Sequence, residues 1–251
     1  MSRFDLSGRS ALVTGANTGI GQAIAVALAE AGANIVAVGR SAMDDTEAQC
    51  RPHRTGFLAV AADLSTIEPI ERMMGLAEAR FGRVDILINN AGIIRRADAV
   101  DLTEADWDAV MDVNLKSAFF LAQAAGRRMI ADGRGGKIVN VASLLSFQGG
   151  IRVASYTAAK SGLAGVTRIL ANEWASKGVN VNAIAPGYIA SNNTAALMAD
   201  PKRSADILGR VPAGRWGEPK DIGGAAVFLS SPAADFIHGV LLPVDGGWLA
   251  R

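Results

Sequence analysis

Seven short apolar runs, several rich in Val, Ile and Leu, recur between longer stretches of helical periodicity: Ser10-Thr14, Asn34-Val38, Phe57-Ala61, Val84-Asn89, Lys137-Val141, Val179-Ile184 and Val240-Val244. Their apolar character is continuous rather than alternating, which marks strands covered on both faces. Strands that alternate with helices build a parallel, doubly wound sheet. At 251 residues, half of them hydrophobic, the chain fits one α/β domain with a large core and shows no linker. The expected architecture is therefore a single α/β domain over residues 1–251, with a sheet of about seven parallel strands and helices on both faces.

Local signals refine this plan. Ser65-Thr66-Ile67-Glu68 and Thr103-Glu104-Ala105-Asp106 resemble capping boxes that open helices, the second with Asp in place of the usual Glu or Gln. From Gly187 to Asp221 the pattern gives way to polar sequence punctuated by Gly and Pro, with one short helical candidate near Pro201-Gly209. A connection that long in a compact domain is usually functional, and it is expected to form a substrate lid over about residues 187–221.

Composition excludes several classes. Lys plus Arg number 25 against 24 Asp plus Glu, a net charge of +1, with no basic block, so nucleic acid is not an expected partner. The single cysteine, Cys50, cannot form an intramolecular disulfide, and His53 and His238 lack metal-ligand spacing; a cytoplasmic protein without a structural metal is expected. The first eight residues contain no apolar targeting segment, and no stretch reaches membrane-spanning length, so a soluble protein with no membrane partner is expected.

The loop after the first run reads Thr14-Gly15-Ala16-Asn17-Thr18-Gly19-Ile20-Gly21, followed by an alanine-rich helix over Gln22-Ala31. Glycines between a strand and a helix let the backbone approach a pyrophosphate, whose charge then meets the free N–H groups of the helix start. The alternative is merely a tight βα turn. After the second run come Gly39 and Arg40, where an acid would bind ribose hydroxyls and an arginine can accept a 2′-phosphate. Arg40 thus favours NADP(H), although it can equally stack on adenine or face solvent. Asp63-Leu64 can accept from an adenine amino group; capping the next helix is its other use.

Ser143 follows the fifth run, and thirteen and seventeen positions later stand Tyr156 and Lys160. Tyr and Lys at i and i+4 share one helix face, and a nearby ammonium favours phenolate over phenol. Such a tyrosine passes protons, while the serine hydroxyl emerges at the carboxyl end of a strand, where open α/β sheets bind ligands. Alone, the Tyr-Lys pair is ordinary helix surface.

With Thr14-Gly15-x-x-x-Gly19-x-Gly21, Asn89-Asn90-Ala91-Gly92, Asn114, Ser143, Tyr156-x-x-x-Lys160 and Pro186-Gly187 all in order, the chain resembles the short-chain dehydrogenase/reductase family from near Gly8 to its end. The resemblance implies a Rossmann-type fold and a catalytic set of Asn114, Ser143, Tyr156 and Lys160. Tyr156 would be the acid/base and Ser143 the donor to the substrate oxygen. Lys160 would bind the nicotinamide ribose and lower the tyrosine pKa, and Asn114 would hold a relay water. It also implies that Asn90, Ala91 and Gly92 pack beside the cofactor, with Pro186, Gly187 and Ile189 lining the nicotinamide, and that the chain forms a homotetramer.

More narrowly, the stretches Ile93-Arg96, Ser143-Arg152, Ala185-Tyr188 with Asn192-Thr194, and Asp245-Arg251 resemble 2-dehydro-3-deoxy-D-gluconate 5-dehydrogenases, also described as 2-deoxy-D-gluconate 3-dehydrogenases. That subgroup implies a 2-keto-3-deoxygluconate-type sugar acid as substrate, in uronate breakdown, and NAD as cofactor, against the NADP that Arg40 favours. A carboxylate substrate needs a guanidinium, for which Arg95, Arg96 and Arg152 are candidates and Arg152 the preferred one; the other reading of Arg152 is a subunit contact. Gln148 and Asn193 are candidates for substrate hydroxyls, and Trp248 is expected at a subunit contact. The rival functions are reduction of another ketone, such as a 3-oxoacyl-carrier-protein, and a non-catalytic nicotinamide-sensing regulator on the same fold.

Overall fold

A computed structural model describes residues 2–251. Every apolar run is a strand: β1 (Ser10–Thr14), β2 (Asn34–Gly39), β3 (Phe57–Ala61), β4 (Ile86–Asn89), β5 (Gly136–Val141), β6 (Val179–Pro186) and β7 (Leu241–Val244). Among them run α1 (Gly19–Glu30), α2 (Asp44–Cys50), α3 (Ile70–Phe81), α4 (Glu104–Met111) and α5 (Ser117–Ala131). The second half adds α6 (Ala154–Trp174), α7 (Ala195–Ala199), α8 (Pro201–Leu208) and α9 (Lys220–Ser230). All seven strands pair in parallel in the order β3-β2-β1-β4-β5-β6-β7. The order reverses between β1 and β4, so the connections leave their carboxyl ends toward opposite faces and open a crevice there.

The unbroken hydrophobicity of the strands has a simple cause. Alternate residues feed two different cores. Val13, Ile35 and Ile88 pack with Ile24 and Leu28 of α1 and Ile222 of α9. Leu12, Val36 and Leu87 face the other way, onto Met73 of α3, Leu121 of α5 and Trp174 of α6. Val84 falls outside β4 because the chain is occupied just there by Asp85, whose carboxylate accepts from the Ser10 N–H (2.9 Å) and pairs with Arg9 and Arg83.

The two capping motifs part company. Thr103 caps α4, its hydroxyl accepting from the Asp106 N–H at 3.2 Å and donating to the Asp106 carboxylate at 3.1 Å. Ser65 opens no helix, in contrast to expectation. Its N–H is taken by Asp63 Oδ1 (2.9 Å), and α3 starts five residues on, after Pro69.

A buried polar chain fixes α5 and α6 to the sheet. Asn89 Nδ2 donates to the Ala118 carbonyl (3.1 Å) and to Asn140 Oδ1 (2.9 Å), while Asn140 Nδ2 donates to Thr167 Oγ1 (2.9 Å). Thr167 in turn donates to the Leu163 carbonyl within α6. Because a buried donor without a partner costs more than the bond contributed, Asn140→Ala is expected to lower stability by about 2–4 kcal/mol, read as a lower urea midpoint at unchanged slope. A change below about 0.5 kcal/mol would show that the chain is dispensable.

Candidate active site

The glycine loop is built around one hydroxyl. Thr14 Oγ1, at the end of β1, accepts from the N–H groups of Asn90 and Ala91 (both 3.0 Å) and donates to the Ile88 carbonyl. Asn90 Nδ2 answers by donating to the Thr14 carbonyl at 2.9 Å, so the ends of β1 and β4 are stapled across the crevice. Gly15 and Gly19 adopt left-handed φ of +65° and +58°, which a side chain rarely accepts. A Cβ on Gly21 would run into the Gly15 carbonyl, which is why α1 packs so closely on the loop. At Gly19 a Cβ would meet nothing nearer than Ser191 at 4.0 Å, so this residue faces the gap beneath the segment after β6.

That gap suits a dinucleotide pyrophosphate. The α1 N-cap, Thr18, makes no side-chain capping bond, and the first turn carries no acid, so its N–H groups are free for an anion. Ile20 packs against the core beneath them. Asn17 Nδ2 donates to Ser41 Oγ (2.8 Å) beside buried Gly39, and Arg40 is exposed and forms no ion pair among the described residues. Asp63 is exposed and Leu64 buried at the end of the neighbouring strand. Sequence reasoning missed one brace, Thr46, whose fully buried hydroxyl donates to the Ala16 carbonyl (2.8 Å) and accepts from Gln22. A threonine inside a polar helix carries no signal for this.

Ser143, Tyr156 and Lys160 do come together. Ser143 leaves β5 and opens a short 3-10 turn, its Oγ accepting from the Leu145 N–H at 3.2 Å. Tyr156 and Lys160 lie on the first turns of α6, the ammonium 5.6 Å from the phenol ring centroid. Lys160 is 3% exposed and donates to the Val141 carbonyl (2.6 Å), and burial pulls its pKa down to about 8. In contrast to the expectation that Lys160 lowers the tyrosine pKa, burial pushes the Tyr156 phenol up, opposed by a hydrogen bond to Ser143 and by the charge of Arg96. Asn114 is 1% exposed within a π-turn, a rare distortion frequent at functional sites. Both ends of its amide are engaged by Ile93, accepting from the N–H (2.8 Å) and donating to the carbonyl (2.9 Å), so the side chain braces the segment after Gly92.

The three candidate arginines separate. Arg95 pairs with Asp106 on α4 (3.2 Å), and Arg152 with Asp98 (3.2 Å), both pairs open to solvent. Arg152 also holds φ at +63°, a strained value for a side-chain-bearing residue, while its carbonyl accepts from the Ala97 N–H. Only Arg96 of the three acts on the phenol, and its Nη2 donates to the Asn193 carbonyl at 3.0 Å. The Asn193 side chain itself is exposed.

Pro186 and Gly187 end β6, with the Gly187 N–H on the Val244 carbonyl, and Ile189 is 4% exposed. Ile189 and Gly217 form an isolated bridge that closes the neck of the segment expected to be a lid. Within it, α8 matches the helix predicted near Pro201 and is capped by Asp200, whereas α7 was not foreseen. Trp248 departs from expectation: it is 4% exposed, packed inside this chain between Tyr188 (4.7 Å between rings) and Arg210 (4.0 Å). Its indole N–H donates to Gln148 Oε1 at 3.2 Å.

A glycine cradle at the switch point of a doubly wound sheet, beside a Ser-Tyr-Lys cluster, is the site of a nicotinamide-dependent oxidoreductase acting on a hydroxyl or carbonyl group. The chain belongs to the short-chain dehydrogenase/reductase family: a family profile described as enoyl-(acyl carrier protein) reductase matches residues 15–249. It is 55% identical to the 2-dehydro-3-deoxy-D-gluconate 5-dehydrogenase of Escherichia coli, over 100% of this chain and 99% of that one. The Bacillus subtilis enzyme of the same name is 52% identical over 99% of this chain and 97% of its own. A crystal structure from Agrobacterium tumefaciens with bound NADP, provisionally named a 2-deoxy-D-gluconate 3-dehydrogenase, is 59% identical and superposes with a TM-score of 0.95 over 100% of both chains.

The buried lysine sets a pH dependence. A Lys with a folded pKa near 8 releases its proton before the unfolded chain does at 10.5, so between those values the unfolded state holds more protons and stability rises with pH. Relative to Lys160→Met, the wild type is expected to gain up to about 3 kcal/mol from pH 8 to 10.5. Parallel urea titrations of the two proteins check this; identical pH profiles would refute it.

Proposed function

We propose that the chain interconverts a secondary alcohol and ketone on a deoxy sugar acid of the 2-keto-3-deoxygluconate type, with NADP(H) as the preferred dinucleotide. The observation that carries this reading is the convergence of Ser143, Tyr156 and Lys160 at the carboxyl end of the sheet that also carries the glycine cradle, with the charge of Arg96 acting on the phenol. The names of the relatives supply the sugar acid. Exposed, unpaired Arg40 next to acid-free Gly39, among the described residues, and the NADP held by the Agrobacterium relative support the 2′-phosphate.

When bound, the nicotinamide supplies or accepts the hydride. Gly15 to Gly21 and the start of α1 would hold its pyrophosphate, Asn17 and Arg40 with Asp63 and Leu64 would meet the adenosine end, and Asn90 to Gly92, Pro186, Gly187 and Ile189 would line the nicotinamide end. Ser143 donates to the substrate oxygen. Tyr156 gives its proton to that oxygen in reduction and takes it back in oxidation. A Tyr156 raised by burial holds its proton firmly, and Lys160, near 8, exchanges protons at the pH of the cell. Arg96 takes the substrate carboxylate, since Arg95 and Arg152 are already paired. Residues 187–221 act as the lid. Fully exposed Phe236, with exposed Val100 and Ile151, supports assembly into a homo-oligomer, and the free, buried Cys50 agrees with a reducing compartment.

The test is the initial rate of the purified protein with 2-keto-3-deoxygluconate and NAD or NADP in parallel, followed by nicotinamide absorbance. Turnover that is faster with NADP is expected. Activity confined to a 3-oxoacyl thioester would overturn the substrate, and cofactor binding without turnover of any ketone would favour a sensor. Tyr156→Phe is expected to lose at least about 1000-fold in kcat with cofactor affinity unchanged; near-normal turnover would remove the tyrosine from the chemistry. Arg96→Ala should raise KM for the sugar acid about 10-fold or more while sparing a neutral ketose, and equal losses on both would unseat the guanidinium as carboxylate receptor.

A further inference from the structure

Trp248 joins three parts of the site that the chain brings together from far apart. Its ring lies between Tyr188, one residue past Gly187, and the Arg210 guanidinium, which stacks over it at 4.0 Å. Leu144 and Val211 pack against the same cluster, so the ring has one wall from the turn after Ser143 and another from the lid segment. The indole N–H reaches Gln148 Oε1 at 3.2 Å.

The chemistry of that bond is asymmetric. An indole nitrogen only donates, whereas a carboxamide offers an oxygen that accepts and a nitrogen that donates. Against the indole the amide can present only its oxygen. The nitrogen must then face away, and among the described residues Gln148 Nε2 donates to no protein group. Gln148 is half-buried, and its backbone N–H is tied to the Leu144 carbonyl in the turn that Ser143 opens. Its free end is therefore a donor carried on the turn that Ser143 opens.

We propose that Trp248 is a positioning residue for substrate: it fixes the orientation of Gln148 so that the amide N–H groups meet an oxygen acceptor on the substrate. This rests on the reading of the site given above. The ligand group recognised is a carboxylate, ketone or hydroxyl oxygen acting as acceptor, and the lid segment is seated on the same ring that sets the amide.

A double-mutant cycle tests it. Trp248→Phe keeps an aromatic ring against Tyr188 and Arg210 while removing the N–H donor together with the second ring of the indole. It is expected to raise KM for 2-keto-3-deoxygluconate about 5- to 10-fold with kcat within about 2-fold, as is Gln148→Ala, and the double variant should be no worse than either alone. Unchanged KM in Trp248→Phe, or effects that multiply, would overturn the proposal. A second measurement is independent of turnover: with the indole nitrogens labelled, the resonance that Trp248→Phe deletes should shift upfield in Gln148→Ala, which leaves the packed ring untouched. A resonance that stays in place shows that the bond is not made and removes the proposal, whatever the substrate. Absence of wild-type turnover with the sugar acid, together with the expected shift, would instead count against the substrate assignment and uphold the orientation of Gln148.

Discussion

The hydroxyl of Thr14 is the joint on which the rest depends. In a doubly wound sheet the connections after β1 and β4 depart toward opposite faces, so the crevice that admits a ligand is also the place where the sheet has least to hold it together. Thr14 Oγ1 closes that gap by receiving two N–H groups from the β4 side, and Asn90 returns a bond to the β1 side. Three peptide groups at the crevice are thereby satisfied without filling it. The glycine loop can be open to a pyrophosphate because its base is closed by this staple rather than by packing.

A similar economy sets the candidate catalytic cluster. Ser143 comes from β5, Tyr156 and Lys160 from α6, and Asn114 from the π-turn between α4 and α5, so their mutual geometry depends on how those helices sit on the sheet. Hydrophobic contacts alone tolerate sliding. The Asn89, Asn140 and Thr167 chain does not, because each donor has one acceptor at the right place, and it crosses from β4 through β5 to α6. Lys160 adds a further tie between α6 and the end of β5 through the Val141 carbonyl. Helix register is thus set by polar bonds within a layer whose volume is apolar.

What was legible in the sequence was what local chemistry decides. The strands show as unbroken apolar runs because residues such as Leu12 and Val13 serve opposite cores, and the glycine loop shows because glycine takes the φ of Gly15 and Gly19 without the strain a side chain brings. The Ser143, Tyr156 and Lys160 spacing shows because i and i+4 share a face of α6. What was not legible is partner choice among equals. Arg95, Arg96 and Arg152 are chemically identical, and only the fold hands Asp106 to the first, Asp98 to the third and the neighbourhood of Tyr156 to the second. The place of Trp248 was hidden for the same reason, since a tryptophan three residues from the end of the chain reads equally as an interface anchor or a core residue. Ser65 failed as a helix start because Asp63, two residues earlier, competes for its N–H.

The sign of the Tyr156 shift carries the largest lesson. Proximity of an ammonium argues for a lowered phenol pKa, yet the same enclosure that brings Lys160 close strips water from both groups, and removal of water disfavours each charged form. Lys160 moves down to about 8 and Tyr156 moves up, so the pair is biased toward its two neutral members. The opposing pulls on Tyr156 come from Ser143 and Arg96. On the proposed assignment a substrate carboxylate neutralises Arg96, weakening one of those pulls at the moment the substrate oxygen arrives.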